Sequence, residues 1–82
     1  MIVATLKKIF SMVLSIEEDT ITMELSPETT PSWDSLNAIV LITEIEKACH
    51  VRFNYEEAMG IKNFGDIVRL VQSKSPENGG GN

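Results

Sequence analysis

The sequence predicts an all-α fold of one domain, on three observations. Apolar residues recur with the 3.6-residue period of a helix in three separate stretches. The only alternating stretch, Ile21-Met23-Leu25, stands alone, and a lone strand has nothing to pair with. The chain has 82 residues, enough for one thin core and not two.

The first stretch places Ile2, Val3, Leu6, Ile9, Phe10, Val13 and Leu14 on one helical face, with Lys7, Lys8 and Ser11 outside it. A helix is predicted over residues 2–14. Over residues 15–33 the period dissolves into a Ser/Thr/Glu-rich segment holding Pro27 and Pro31. It reads as a long loop pinned to the bundle by Ile21, Met23 and Leu25, and loops of that length in small domains tend to be functional. Asp34 is a good N-cap for a second helix running from residue 34 or 35 to about 50. Steps of 100° put Ala38, Leu41, Ile42, Ile45, Ala48 and Cys49 on its core arc. Leu36 and Val40 fall on another side, near Thr43 and Lys47, as an apolar strip open to a partner. Asn54 caps a short turn of helix over Tyr55, Glu56, Glu57, Ala58 and Met59, which Gly60 ends. A last helix over residues 63–73 turns Phe64, Ile67, Val68 and Val71 inward. Residues 75–82, with Pro76 and three glycines, have nothing to bury and are expected to be disordered. Trp33 is expected as a loop anchor packed on the bundle, Cys49 as a small core residue, and Met23 and Met59 as core packing or pocket lining.

Composition excludes several function classes. Net charge is −5, and from Ser15 through Glu46 there are eight acids and no Lys or Arg, which argues against nucleic-acid binding. Such a one-signed segment suits either solubility or attraction of basic partners. One cysteine forbids an intrachain disulfide. Cys49 and His50 point apart on a helix, so no metal centre is expected. One histidine assembles no nucleophile–base pair, and Glu44 and Glu46 face opposite sides of their helix, so no enzyme is expected. No stretch approaches the roughly 20 apolar residues of a membrane span. Lys7-Lys8 and the short apolar run after them lead into Glu17-Glu18-Asp19, not a cleavage site. A cytoplasmic monomer is the expectation.

The informative window is Pro31-Ser32-Trp33-Asp34-Ser35-Leu36. A serine in the first turn of a helix sits where backbone N–H groups lack partners and the macrodipole is positive. Its physics fits three readings: an ordinary helix-start serine, a phosphorylation site, or the attachment point of a larger phosphodiester.

Asp34-Ser35-Leu36 resembles the Asp-Ser-Leu signature of acyl carrier proteins, and Trp33 before it resembles a variant found in specialised carriers. The likeness covers residues 2–74 and includes the long loop and the helix opening at the serine. It implies a four-helix acyl-carrier-like bundle (three main helices, a short third one and a long first loop) forming a carrier domain over residues 1–74. It implies that Ser35 bears 4′-phosphopantetheine from coenzyme A, loaded by a phosphopantetheinyl transferase, and holds acyl groups as thioesters for acyl-loading and acyl-transfer enzymes of fatty-acid, polyketide or related biosynthesis. The docking surface implied is Leu36, Asn37, Val40, Thr43, Glu44, Lys47, Glu56 and Glu57, and the acyl pocket is Ile39, Ile42, Phe53, Met59 and Ile61. Asn37 stands where the family usually has an acid, Val40 where it often has a glutamate, and Lys47 and Ala48 replace later acids. Partner enzymes with basic or apolar docking patches, different from those of bulk fatty-acid synthesis, are therefore expected. An aminoacyl or peptidyl carrier, and an interaction bundle without a prosthetic group whose Leu36–Val40 strip binds a partner helix, are the alternatives.

Overall fold

The computed structural model describes residues 2–74; the expected tail over 75–82 lies outside the described residues. Four α-helices make up the fold, α1 (Ile2–Leu14), α2 (Ser35–Cys49), α3 (Tyr55–Met59) and α4 (Phe64–Lys74), with no strand among the described residues. The predicted all-α bundle is what forms. Its core is one cluster in which Leu6, Phe10, Ile45, Phe64 and Val71 are fully buried.

Each helix stops for a local reason. Ser15 after α1 and His50 after α2 adopt left-handed backbone (φ 57° and 58°), a conformation that costs a non-glycine residue roughly 1–2 kcal/mol. In return the chain reverses and the last carbonyls find donors: Ile16 N–H bonds Ser11 O at 3.3 Å, and Val51 N–H bonds Glu46 O at 3.3 Å. Helix α3 opens with a full capping box, Glu57 N–H to Asn54 Oδ1 at 2.8 Å and Asn54 N–H to Glu57 Oε1 at 3.0 Å. That box holds a helix of five residues that has no buried side chain of its own. Gly60 closes it in right-handed backbone.

The long loop is ordered by itself. A 3-10 turn at Glu18–Thr20, which periodicity does not reveal, opens it. Tight turns follow, ending with Trp33 N–H on Thr30 O at 2.9 Å. The loop is pinned by Ile21, which is buried, by half-buried Leu25 and by backbone. Met23, expected to pin it by its side chain, is exposed. Its carbonyl serves instead, accepting Gly65 N–H at 2.9 Å while Leu25 O accepts Phe64 N–H at 2.8 Å. Two of the N–H groups that a helix start leaves unpaired are thus satisfied by the loop. A Cβ at position 65 would lie 3.1 Å from Met23 O, so any other residue there has to push the latch back by a few tenths of an ångström.

Helix α2 is only thinly packed. Leu41 and Ile45 are buried, Ala38, Ile42 and Cys49 half-buried. Ala48, assigned to the core arc by its angle, is exposed, because near its C-terminus α2 is covered on a narrower stripe. Helix α4 buries Phe64, Ile67, Val68 and Val71 as predicted.

Two carboxylates fasten the lower-contact parts. Glu57 takes the Asn54 N–H and reaches Lys74 Nζ at 2.9 Å, joining α3 to the end of α4. Asp66 takes Lys62 N–H at 2.8 Å and Arg69 Nη2 at 2.6 Å. The Asn54 N–H, then Lys74, hold Glu57 below its ordinary 4.5; the Lys62 N–H, then Arg69, hold Asp66 below 3.8. A carboxyl whose pKa is lower folded than unfolded stabilises the fold above its unfolded value, and that contribution disappears as pH falls through the folded one. The melting temperature is therefore expected to fall as the medium is acidified below about pH 4.5, and to fall less in the double variant Glu57→Gln/Asp66→Asn. Thermal scans by circular dichroism across that range check this; parallel curves for the two proteins would refute it.

Candidate functional site

The site is built at the junction of loop and α2. Asp34 has extended backbone (φ −104°, ψ −174°), its Oδ1 accepts the Asn37 N–H at 2.9 Å, and its carbonyl accepts the Ala38 N–H at 2.8 Å. The cap thus sets where the helix begins, and the next residue, Ser35, is its first member. Ser35 is exposed. The residue before the cap does the opposite: Trp33 is 5 % exposed and meets Phe10 edge to face, centroids 5.0 Å apart. A buried indole and an exposed serine thus lie two residues apart. Asn37 adds a clip, its Nδ2 donating to Ser32 O at 2.9 Å and tying the second residue of the approach to the first turn of the helix.

Beside Ser35 opens a cavity of about 420 Å³, largely apolar. Ser35, Trp33 and Asp34 form one side; Ala38, Leu41 and Ile42 of α2, Pro27 of the loop, Ala58 and Ile61 around α3, and Ile67 of α4 complete it. Of the five residues expected to line an acyl pocket, Ile42 and Ile61 line this cavity. Ile39, Phe53 and Met59 do not line it. Ile39 lies 100° around the helix from Ala38 and is 65 % exposed; Met59 is also 65 % exposed, because five-residue α3 turns Ala58 inward instead. Phe53 is half-buried against the core, its N–H held by Glu46 Oε2 at 2.9 Å. Ala38 and Ile42, three and seven positions after Ser35, share its helical face; the sequence reading put both on the core arc, and that spacing is the signal that could have placed Ala38 in the cavity.

The residues expected to dock partners divide. Leu36 (70 % exposed), Val40, Thr43, Lys47 and Glu56 are on the surface. Asn37 is half-buried and committed to Ser32, and Glu57 to Asn54 and Lys74. Glu44 pairs with Lys47 at 3.7 Å. Two positioning residues were missed from sequence: Asn37 as the clip and Glu46 as the acceptor for the α2–α3 connection. No group of three or more His, Cys, Asp or Glu among the described residues is arranged to hold a metal ion, and no described helix is long and apolar enough to cross a membrane.

No protein-family model matches the chain. Curated relatives do. An acyl carrier protein of Clostridium perfringens is 36 % identical over 66 residues, covering 80 % of this chain and 87 % of that one. The chain belongs to the acyl carrier protein family. An acyl carrier protein of Coprothermobacter proteolyticus is 31 % identical over 68 residues, 83 % of each chain. One from Onion yellows phytoplasma is 26 % identical over 76 residues, 93 % of this chain and the whole of that one. Acyl carrier proteins are carriers and not enzymes, and membership sets aside the interaction bundle as the first reading of this chain.

The cap that positions Ser35 makes a measurable contribution. Asp34→Ala removes the acceptor for the Asn37 N–H and is expected to cost about 1 kcal/mol, whereas Asp34→Asn, which keeps an acceptor oxygen, loses only part of that. Denaturant unfolding of the two variants checks it; equal stability of Asp34→Ala and the parent would contradict the cap.

Proposed function

We propose that this acyl carrier protein bears 4′-phosphopantetheine on the hydroxyl of Ser35 and presents acyl groups to biosynthetic enzymes. One observation carries the reading: Ser35 is exposed as the first residue of α2 and at the same time lines the mouth of an apolar cavity. The residues present fit the group. In the opening turn Asp34 takes the N–H groups of Asn37 and Ala38, which leaves those of Ser35 and Leu36 without an acceptor among the described hydrogen bonds, and a phosphodiester there is favoured by about 0.3–1 kcal/mol through the helix dipole. Coenzyme A would supply the group: the Ser35 hydroxyl would give up its proton and bond phosphorus through Oγ as the pyrophosphate bridge breaks and adenosine 3′,5′-bisphosphate leaves. When bound, the arm supplies a terminal thiol that holds cargo as a thioester.

The chain's own residues place and shelter. Asp34 and Asn37 hold the serine at the helix start, and Trp33 keeps the preceding loop from covering it. Ala38, Ile42, Ala58 and Ile61 offer apolar surface on which an acyl chain folds back from water, in a space within the roughly 300–1,000 Å³ range of small-molecule sites. The apolar lining and the relatives' names support an acyl over an aminoacyl cargo. A phosphopantetheinyl transferase and the enzymes that load and remove the acyl group are the partners this reading requires.

Incubation with coenzyme A and a broad-range phosphopantetheinyl transferase, followed by intact mass spectrometry, tests it. The protein is expected to gain one phosphopantetheine, and Ser35→Ala none. An unchanged mass for the parent, or an equal gain in Ser35→Ala, would overturn the assignment.

A further inference from the structure

We infer that the arm on Ser35, when it carries no cargo, lies in a second cavity formed by the long loop, with Thr30 as its buried hydrogen-bonding partner; the inference rests on the carrier reading of Ser35. This cavity measures about 530 Å³. Ile16, Leu25 and Pro31 give it apolar walls, and Thr22, Thr30 and Ser32 bring hydroxyls to it. Thr30 is 5 % exposed, and its Oγ1 is buried with no donor or acceptor among the described residues. Its backbone is engaged on both sides, the N–H donating to Pro27 O at 3.3 Å and the carbonyl accepting from Trp33 N–H at 2.9 Å, so the hydroxyl alone is left over. A buried polar atom in that state is rare and unfavourable, and an occupant that brings it a partner is stabilised. The hydroxyls of Thr20 and Thr29 are already given to Glu17 O and Ser26 O. Those of Thr22 and Ser32 have no partner among the described residues.

Reach and chemistry together select the occupant. The turn closed by Trp33 N–H on Thr30 O keeps the Cα atoms of residues 30 and 33 within about 7 Å. Two further residues of about 3.8 Å each lead on to Ser35, so the Cα of Thr30 is at most about 15 Å from that of the attachment point. The phosphopantetheine arm, extended from phosphorus to sulfur, exceeds that distance. Asn37 Nδ2, on Ser32 O at 2.9 Å, ties the first turn of α2 to a residue of the cavity's lining. Along the arm come a gem-dimethyl carbon, a hydroxyl and two amides. That succession of apolar and hydrogen-bonding groups matches three apolar side chains set among three uncommitted hydroxyls. Glu24, the one charged residue of the lining, accepts an amide N–H and repels a free anion. A bare hydrocarbon chain would leave Thr30 as unpartnered as before, and the apolar cavity of Ala38, Ile42, Ala58 and Ile61 is the place for it. Consecutive residues Ser32 and Trp33 line the two different spaces.

The test is NMR of the holo-carrier, prepared with coenzyme A and a broad-range transferase and checked by intact mass. The gem-dimethyl and methylene protons of the arm are expected to show nuclear Overhauser contacts with the side chains of Ile16 and Leu25, which are far from Ser35 along the chain. Thr30→Val removes the hydroxyl and keeps the shape, and is expected to weaken those contacts about fivefold, the population change for one hydrogen bond. Thr30→Ser, which keeps a hydroxyl, is expected to retain them. The apo form of Thr30→Val is expected to melt no lower than the parent, because the hydroxyl it loses has no partner among the described residues. Arm contacts with Ala58 and Ile61 instead, no arm contacts with the protein at all, or contacts with Ile16 and Leu25 that are unchanged in Thr30→Val would each overturn the inference and leave the carrier reading standing. A parent that gains no mass removes the carrier reading and this inference together.

Discussion

The edge-to-face contact of Trp33 with Phe10 is the constraint on which the rest of the molecule depends. Phe10 stands on α1, and a second T-shaped contact, centroids 4.9 Å apart, joins it to Phe64 at the start of α4. Three rings from the first helix, the last helix and the long loop therefore meet at one point in the core. Pairs of this kind are worth about 0.5–1.5 kcal/mol beyond the area they bury. For a thin bundle whose α2 buries only Leu41 and Ile45, that is a considerable share of the cohesion. The loop is held in its middle by the Met23 and Leu25 carbonyls on the first N–H groups of α4, and at its end by Trp33 just before α2. Ser35 consequently projects from a fixed platform, although the segment before it has little regular structure.

Thin packing of α2 and display of the serine are linked. A helix buried on a broad stripe would draw its first turn into the bundle. Here the first turn carries an exposed serine and leucine, while the half-buried Ala38 and Ile42 leave a cavity behind them. On the proposed reading of Ser35, the molecule contributes position, shelter and a surface. Its negative charge is uneven in its consequences: Glu17, Glu18 and Asp19 are exposed on the loop, while the acids of α2 and α3 are mostly engaged in holding the fold.

Much of this was legible from the residues because strong periodicity survives tertiary context. Helix α1 has the predicted bounds, Asn54 and Asp34 cap where their chemistry says they should, and Phe64, Ile67, Val68 and Val71 face inward. Other features leave no local mark. The latch of Gly65 on Met23 O is a backbone contact between distant segments, and nothing in either segment announces it. The turns of the loop, which replace the apparent alternation of Ile21, Met23 and Leu25, depend on hydroxyl and carbonyl partners that a hydropathy pattern does not weigh. Ile39 and Met59 were expected in the pocket by likeness to the family, whereas the angle of Ala38 and the shortness of α3 turn them outward. Asn37 was expected on the docking surface by likeness to the family, yet its amide reaches back across the cap to Ser32 O.

The most direct test of this account is amide hydrogen exchange, followed residue by residue by NMR, in Trp33→Leu. If the buried indole fixes the start of α2, the amides of Asn37 and Ala38, which bond to Asp34, lose protection while those of Leu6, Phe10 and Val71 keep theirs. Unchanged protection at Asn37 and Ala38, or an equal loss throughout the bundle, would contradict the claim that Trp33 is what holds Ser35 in place.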